Sequence, residues 1–214
     1  MNNKARTFTY ILTDFIAAAG SWALFYAYRK VYIESPVFGI KVPMDPDLKF
    51  WLSLLIVPLF WILLHSISGY YRNPYRKSRL QELGQTFLFS LIGVLILFFT
   101  LILDDTIPSY RSYYLSISVL FFLQFFLTYI PRVLITTATI QKIRSGKIGF
   151  NTLLIGGNKR ALEIYTKLTA IPKSSGNKIV GFISINAHPS AGLEKHIPKL
   201  GTLKDVDRII DEYE

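Results

Sequence analysis

The sequence predicts a membrane four-helix bundle (all-α) followed by a partial α/β domain. Three observations predict it. Four apolar runs of spanning length crowd into the first 136 residues. Composition changes after Phe150 to an ordinary soluble balance. A strand–glycine–helix stretch, "NTLLIGGNKRALEIYTKL" (Asn151–Leu168), then opens a βαβ pattern.

The whole chain leans toward lipid. Of 214 residues, 51% are hydrophobic, 15% aromatic and only 18% charged, where a soluble domain averages about 25% charged. Mean hydropathy is +0.34. Cysteine is absent, which excludes a disulfide framework, a thiolate metal site and a cysteine nucleophile. The start is not a cleavable signal peptide, because the apolar run behind Lys4 and Arg6 is long and lacks a clear small-residue cleavage site.

The four runs are Phe8–Tyr32, Leu48–Tyr70, Leu83–Leu103 and Tyr113–Thr136. A spanning helix needs ~20 mostly apolar residues. Leu83–Leu103 carries no charge at all. An unpaired backbone amide in hydrocarbon costs several kcal/mol, so such runs fold as helices. Buried helices of a soluble protein are the competing reading, but four of them leave too little polar surface to cover them. Pro58 and Pro131 are tolerated in spans whose neighbours satisfy the freed carbonyls. The loop "ESPVFGIKVPMDPD" (Glu34–Asp47) reads as a short extracytoplasmic connection.

Charge placement sets the orientation. The net charge is +10. Lys4, Arg6, Arg72, Arg76, Lys77, Arg79, Arg132, Lys142, Arg144 and Lys147 fall on one side, against Arg29, Lys30, Lys41, Lys49 and Arg111 on the other. The acids Glu34, Asp45, Asp47, Asp104 and Asp105 join the second group. This two-to-one bias puts both termini in the cytoplasm of a multi-pass protein. Tyr26, Tyr28, Tyr32, Trp51, Tyr70, Tyr71, Tyr110, Tyr113 and Tyr114 are placed as interfacial aromatics at the span ends. "YYRNPYRKSR" (Tyr70–Arg79) interleaves aromatics with bases, but it lies between two spans. Its expected contact is therefore anionic lipid headgroups, and the bilayer, not nucleic acid, is the partner.

Two ionisable residues interrupt the apolar runs. Asp14 lies in the first span and His65 in the second, near the same membrane face. Such groups are costly and face the bundle interior. A structural pair, for instance Asp14 with Arg132 of the fourth span, or snorkelling to the interface is the expected role. A site for a polar headgroup is the alternative. No internal repeat or broken-helix pair points to a transporter.

The basic stretch "QKIRSGKIGF" (141–150) reads as a linker. Beyond it, "TLLI" (Thr152–Ile155) reads as a strand and Ala161, Leu162, Ile164, Tyr165 and Leu168 fall at helical spacing. Lys178–Ile185 follows as a second strand, which makes a βαβ unit with an expected right-handed crossover. "IPKLGTLKDVDRIIDEYE" reads as a turn into an amphipathic helix with Leu203, Val206, Ile209 and Ile210 inward. The domain is thus Rossmann-like. The dinucleotide fingerprint is G-x-G-x-x-G/A with an acid closing the second strand. Here Asn158 stands for the middle glycine, Ala161 for the last, and Ser184 and Asn186 where the acid belongs. Gly156, Gly157, Asn158, Lys159 and Arg160 form the candidate nucleotide or phosphate turn, on helix amides and two cations. A purely structural turn is the other reading of the same residues.

"NTLLIGGNKRALEIYTKL", "IVGFISI" and "IPKLGTLKDVDRIIDEYE", together with "GYYRNPYRKSRLQELGQTF" between spans two and three, resemble the front of the large bacterial polyprenyl-phosphate sugar phosphotransferases of exopolysaccharide and capsule synthesis. The resemblance covers nearly the whole chain. It implies a four-span bundle over residues 1–140, the linker 141–150, and a truncated, CoA-binding-like Rossmann module over 151–214. It implies the inner membrane of a bacterium and a homo-oligomer. The parent enzyme would move a sugar-1-phosphate from a UDP-sugar to undecaprenyl phosphate and release UMP, with Mg²⁺ in its catalytic domain. That domain is not in these residues, so no catalytic or metal-binding residue is assigned and no cofactor is expected in this segment. Membrane-bound nucleotide-sugar dehydratases and epimerases share such a front end. A non-enzymatic membrane scaffold or sensor is the third reading.

Overall fold

The computed structural model describes residues 3–40, 43–75, 77–102, 110–172, 174–185 and 192–213. Lys41, Arg76, Leu103, Asp104, Asp105 and Asn186, each used in the sequence reading, lie outside the described residues. The chain divides into two compact units, 1–137 and 138–214.

The first unit is built from long helices. α1 covers Asn3–Tyr28 and continues through a wider, π-helical turn over Arg29–Glu34 into a short helix α2, Ser35–Phe38. α3 covers Leu48–Ile67, α4 Arg79–Leu97 with a π-helical extension over Phe98–Ile102, and α5 Tyr110–Arg144. Four of these segments are long and apolar enough to cross a membrane: Lys4–Glu34, Leu48–Ile67, Arg79–Leu101 and Tyr110–Arg144. α5 has 35 residues. At 1.5 Å per residue it is ~52 Å long, which exceeds a hydrocarbon layer of ~30 Å.

The radial distribution of residues is inverted relative to a water-soluble bundle. Phe8, Leu12, Ile16, Leu55, Ile56, Leu59, Leu63, Phe87, Leu88, Phe122, Phe126, Ile130 and Leu134 are exposed, while Asp14, His65, Glu82, Thr86, Ser90, Gln124, Thr128 and Arg132 are buried. In water each outward-facing aliphatic would forgo about 1.5–3 kcal/mol of burial. In hydrocarbon those side chains match the solvent, and only the polar groups need shelter.

The buried interior also holds an apolar cluster of Ala18, Phe25, Val57, Trp61, Val94, Leu97, Phe98 and Leu120, drawn from all four long helices. Gly93 is required there. A Cβ on it would sit 2.3 Å from the Trp61 ring, so the α3–α4 contact has no room for a side chain. Asp47 and Ser78 cap α3 and α4 by accepting from the amides of Phe50 (2.8 Å) and Gln81 (3.1 Å).

Several expected boundaries move. The first helix runs past Tyr32 to Glu34, where Lys30 (2.7 Å) and Arg29 (3.8 Å) both pair with the Glu34 carboxylate. The loop begun at Glu34 is helical over Ser35–Phe38. The second span stops at Ile67, not Tyr70, because Gly69 takes a left-handed conformation (φ 71°) that turns the chain back. Tyr70 is consequently 3% exposed and not an interfacial aromatic. The basic linker is partly helical, since α5 extends through Arg144 and Phe150 already belongs to a strand.

The second unit carries a three-stranded parallel sheet in the order β1-β2-β3. Its elements are β1 Phe150–Ile155, α6 Lys159–Ala170, β2 Asn177–Ser184, β3 Lys199–Thr202 and α7 Val206–Tyr213. β1 and β2 pair from Phe150↔Asn177 to Ile155↔Ile183, and β2 meets β3 at Phe182↔Lys199. Ala161, Phe182, Leu193 and Ile197 form its small core. The sequence reading missed β3, which is four residues long with a lysine and a glycine. It also placed Leu203 and Ile210 inward, whereas both are half exposed and only Ile209 of that set is buried. Leu203 belongs to the 3₁₀ turn before the eight-residue α7, so one short helix presents too narrow a face to bury all four residues.

Candidate functional site

The buried ionisable residues Asp14, His65, Glu82 and Arg132 lie in the first half of α1, the last turn of α3, the first turn of α4 and the second half of α5. On α4 and α5 the buried polar residues of the first unit recur at multiples of four positions. On α4 they are Glu82, Thr86 and Ser90, with Gly93 completing the stripe; on α5 they are Ser116, Gln124, Thr128, Arg132 and Thr136. That spacing keeps them on one helix face, turned inward.

The Asp14–Arg132 pair expected from the sequence is present. Arg132 Nε donates to Asp14 Oδ1 at 2.8 Å and Nη2 to Oδ2 at 2.6 Å. Both side chains are essentially unexposed, at 0% and 2%. Arg132 Nη1 also donates to Thr86 Oγ1 at 3.1 Å, and Tyr71 donates to Asp14 Oδ2 at 2.7 Å. Forked, doubly bonded geometry of this kind is what offsets the desolvation of two buried charges.

A second pair lies beside it. Glu82 accepts from Tyr70 and, at 3.0 Å, from Thr136, whose hydroxyl lies 2.9 Å from that of Tyr10. Lys77 Nζ stands 3.7 Å from Glu82 Oε1. It lies 2.9 Å from the centre of the Tyr70 ring and 4.3 Å from that of Tyr10, and Arg132 Cζ lies 3.8 Å over the same Tyr70 ring. Two carboxylates therefore balance two cations around one aromatic ring. Lys77, in the connection between spans, is pushed down to about 7 by burial, against the pull of Glu82. His65 stacks on Trp61 and neighbours Tyr70 and Phe89 without being drawn into the Asp14–Arg132 pair.

Sequence reasoning missed Glu82, Tyr70 and Lys77 as members of this network. It assigned the tyrosine and lysine to a lipid-facing collar. Arg72 and Arg79 are exposed as that collar requires, but Lys77 is turned inward, its side chain 6% exposed. The Glu82–Thr86–Ser90–Gly93 stripe was the signal that could have found Glu82.

The glycine turn is formed as the sequence suggests. Gly156 is buried with φ 125°, a conformation only glycine adopts freely, and its amide donates to Ile183 O at 2.8 Å. Gly157 is half-buried; Asn158, Lys159 and Arg160 are exposed. Asn158 caps α6, its Oδ1 accepting from the Ala161 amide at 3.1 Å. That side chain stands where a phosphate oxygen would approach the helix amides. Ser184, which stands in place of the expected acid, is 6% exposed at the end of β2. Among the described residues no group of three or more His, Cys, Asp or Glu comes together to hold a metal ion.

Comparison with protein-family models, with curated proteins and with solved structures gives no match to this chain.

Proposed function

We propose that this chain is the membrane-anchoring and regulatory part of an undecaprenyl-phosphate sugar-1-phosphate transferase of the bacterial inner membrane, with both termini in the cytoplasm. In the reaction a sugar-1-phosphate passes from a UDP-sugar to a phosphate oxygen of the lipid. The bond to UMP breaks, and undecaprenyl-diphosphate-sugar forms. No bond-making residue is assigned among these 214. The four helices hold the enzyme at the membrane, where its lipid substrate resides, and the α/β lobe serves as a regulatory or assembly element, including homo-oligomerisation.

The observation that carries this reading is the order of parts: four spanning-class helices, then directly a parallel β1-α6-β2 unit with β3 next to β2. The order β1-β2-β3 is that of one half of a doubly wound Rossmann-like sheet. The capping role of Asn158 favours the structural reading of the glycine turn over nucleotide binding.

The test is UMP release by membranes from cells expressing the complete gene, with a panel of UDP-sugars and with or without undecaprenyl phosphate. Release that depends on the lipid supports the proposal. Conversion of the sugar nucleotide without UMP release supports the dehydratase or epimerase reading instead. No turnover of any sugar nucleotide leaves the scaffold reading.

A further inference from the structure

Between the end of α3 and the first turns of α4 lies a polar recess of about 150 Å³, lined by Gly69, Tyr70, Asn73, Lys77, Gln81 and Gln85. Its composition is one-sided. Three carboxamides and an ammonium-bearing chain line it, with no carboxylate among the six residues. The nearest acid, Glu82, has its two oxygens engaged by Tyr70 and Thr136.

Lys77 is the unusual member. Its ammonium is buried, and among the described residues it donates no hydrogen bond. Glu82 Oε1, at 3.7 Å, is beyond hydrogen-bonding reach. The Tyr70 ring supplies a cation–π contact but no acceptor. An ammonium has three N–H donors, and a buried donor left without an acceptor costs about 1–3 kcal/mol. A second cation stands at the rim, since a Cβ on Gly69 would meet Arg72 Cδ at 3.7 Å and Nε at 3.9 Å. The recess adjoins the connection between the end of α3 and the start of α4, and the ends of spanning-class helices are where lipid phosphates would lie in a bilayer.

We propose that this recess is a phosphate site, in which Arg72 and the Lys77 ammonium, swung out from beneath the Tyr70 ring, supply the charge and the amides of Asn73, Gln81 and Gln85 supply the remaining hydrogen bonds. The occupant is a phosphate group, carried by a lipid headgroup or free in solution. A phosphate has enough acceptor oxygens to satisfy the Lys77 donors and those of the amides together. The site uses the recess's own groups and does not depend on the transferase reading.

The test uses the full chain in dodecyl maltoside, a phosphate-free detergent. Thermal unfolding is followed while inorganic phosphate, dioleoyl phosphatidic acid or, as the phosphate-free control, dioleoylglycerol is added. Stabilisation by either phosphate-bearing probe and not by dioleoylglycerol supports the site. Phosphatidic acid alone marks a lipid headgroup as the source; inorganic phosphate acting as well as the lipid marks a soluble one. Lys77→Gln should weaken the supporting probe about tenfold or more. The pair Gln81→Leu and Gln85→Leu, outside the buried charge network, should weaken it several-fold and carries the test if Lys77→Gln does not fold. No stabilisation by either phosphate probe, equal stabilisation by dioleoylglycerol, or unchanged affinity in the folded variants overturns the proposal.

Discussion

Arg132 and Asp14, 118 positions apart in sequence, meet through two hydrogen bonds of 2.8 and 2.6 Å inside the helical unit. The pair ties the first spanning-class helix to the fourth. Removing one partner strands the other charge in a low-dielectric interior. Asp14→Leu or Arg132→Met should each cost about 3–5 kcal/mol. The double variant Asp14→Leu with Arg132→Met should recover most of that loss, because no uncompensated charge remains. Thermal unfolding of the four proteins in detergent gives the coupling directly. Equal, additive losses would show that the two residues act separately.

Lys77 gives a pH signature of defined sign. Its pKa in the folded protein is pushed down to about 7 from an ordinary 10.5. The charged and titratable groups facing it are Tyr10 of α1, His65 of α3, Tyr70, Glu82 of α4, Arg132 of α5 and Asp14 of α1. Between pH 7 and 10.5 the unfolded chain holds a proton on this residue that the folded chain has released. Stability therefore rises with pH across that window, and it is lowest below pH 7, where burying the ammonium costs most. Melting at pH 7.5 and 9.5 should show the gain in the native protein and a smaller one in Lys77→Met. A Lys77→Met protein with the same pH dependence would assign the effect elsewhere.

Asn158 caps α6, so Asn158→Ala should weaken that helix by about 0.5–2 kcal/mol, and Asn158→Gly by only a few tenths. Hydrogen exchange at the amides of Ala161 and Leu162 reports this locally. If instead Asn158→Ala leaves their exchange unchanged while abolishing a thermal shift with UDP-sugars, NAD or coenzyme A, the turn is a ligand site and not a structural cap.

The Lys/Arg asymmetry predicts the orientation. A reporter fused after Gly146 should be active in the cytoplasm, and one fused after Asp105 in the periplasm. The opposite pattern would invert the assigned topology.

Much of this architecture was legible in the sequence, and for definable reasons. Uninterrupted apolar runs mark spanning-class helices because lipid admits little else, and Asp14 stands out because a charge in such a run needs a partner. Glu82 was less visible. It lies just before the charge-free run that begins at Leu83, and only the i, i+4, i+8 relation to Thr86 and Ser90 shows that it faces inward. Tyr70 and Lys77 could not be read at all. Their burial depends on the left-handed turn at Gly69, which folds the connection back onto the helices. β3 escaped because four residues with one lysine and one glycine carry no alternating pattern, and its pairing with β2 is a tertiary event.

The central claim is that hydrocarbon surrounds the outward faces of the four long helices. The most direct measurement is extraction of membranes from expressing cells, first with alkaline carbonate and then with dodecyl maltoside. The protein should stay in the carbonate pellet and enter solution only with the detergent. Recovery as a monodisperse species in detergent-free buffer would contradict it, since Phe8, Leu59, Phe122 and Leu134 would then have to face water.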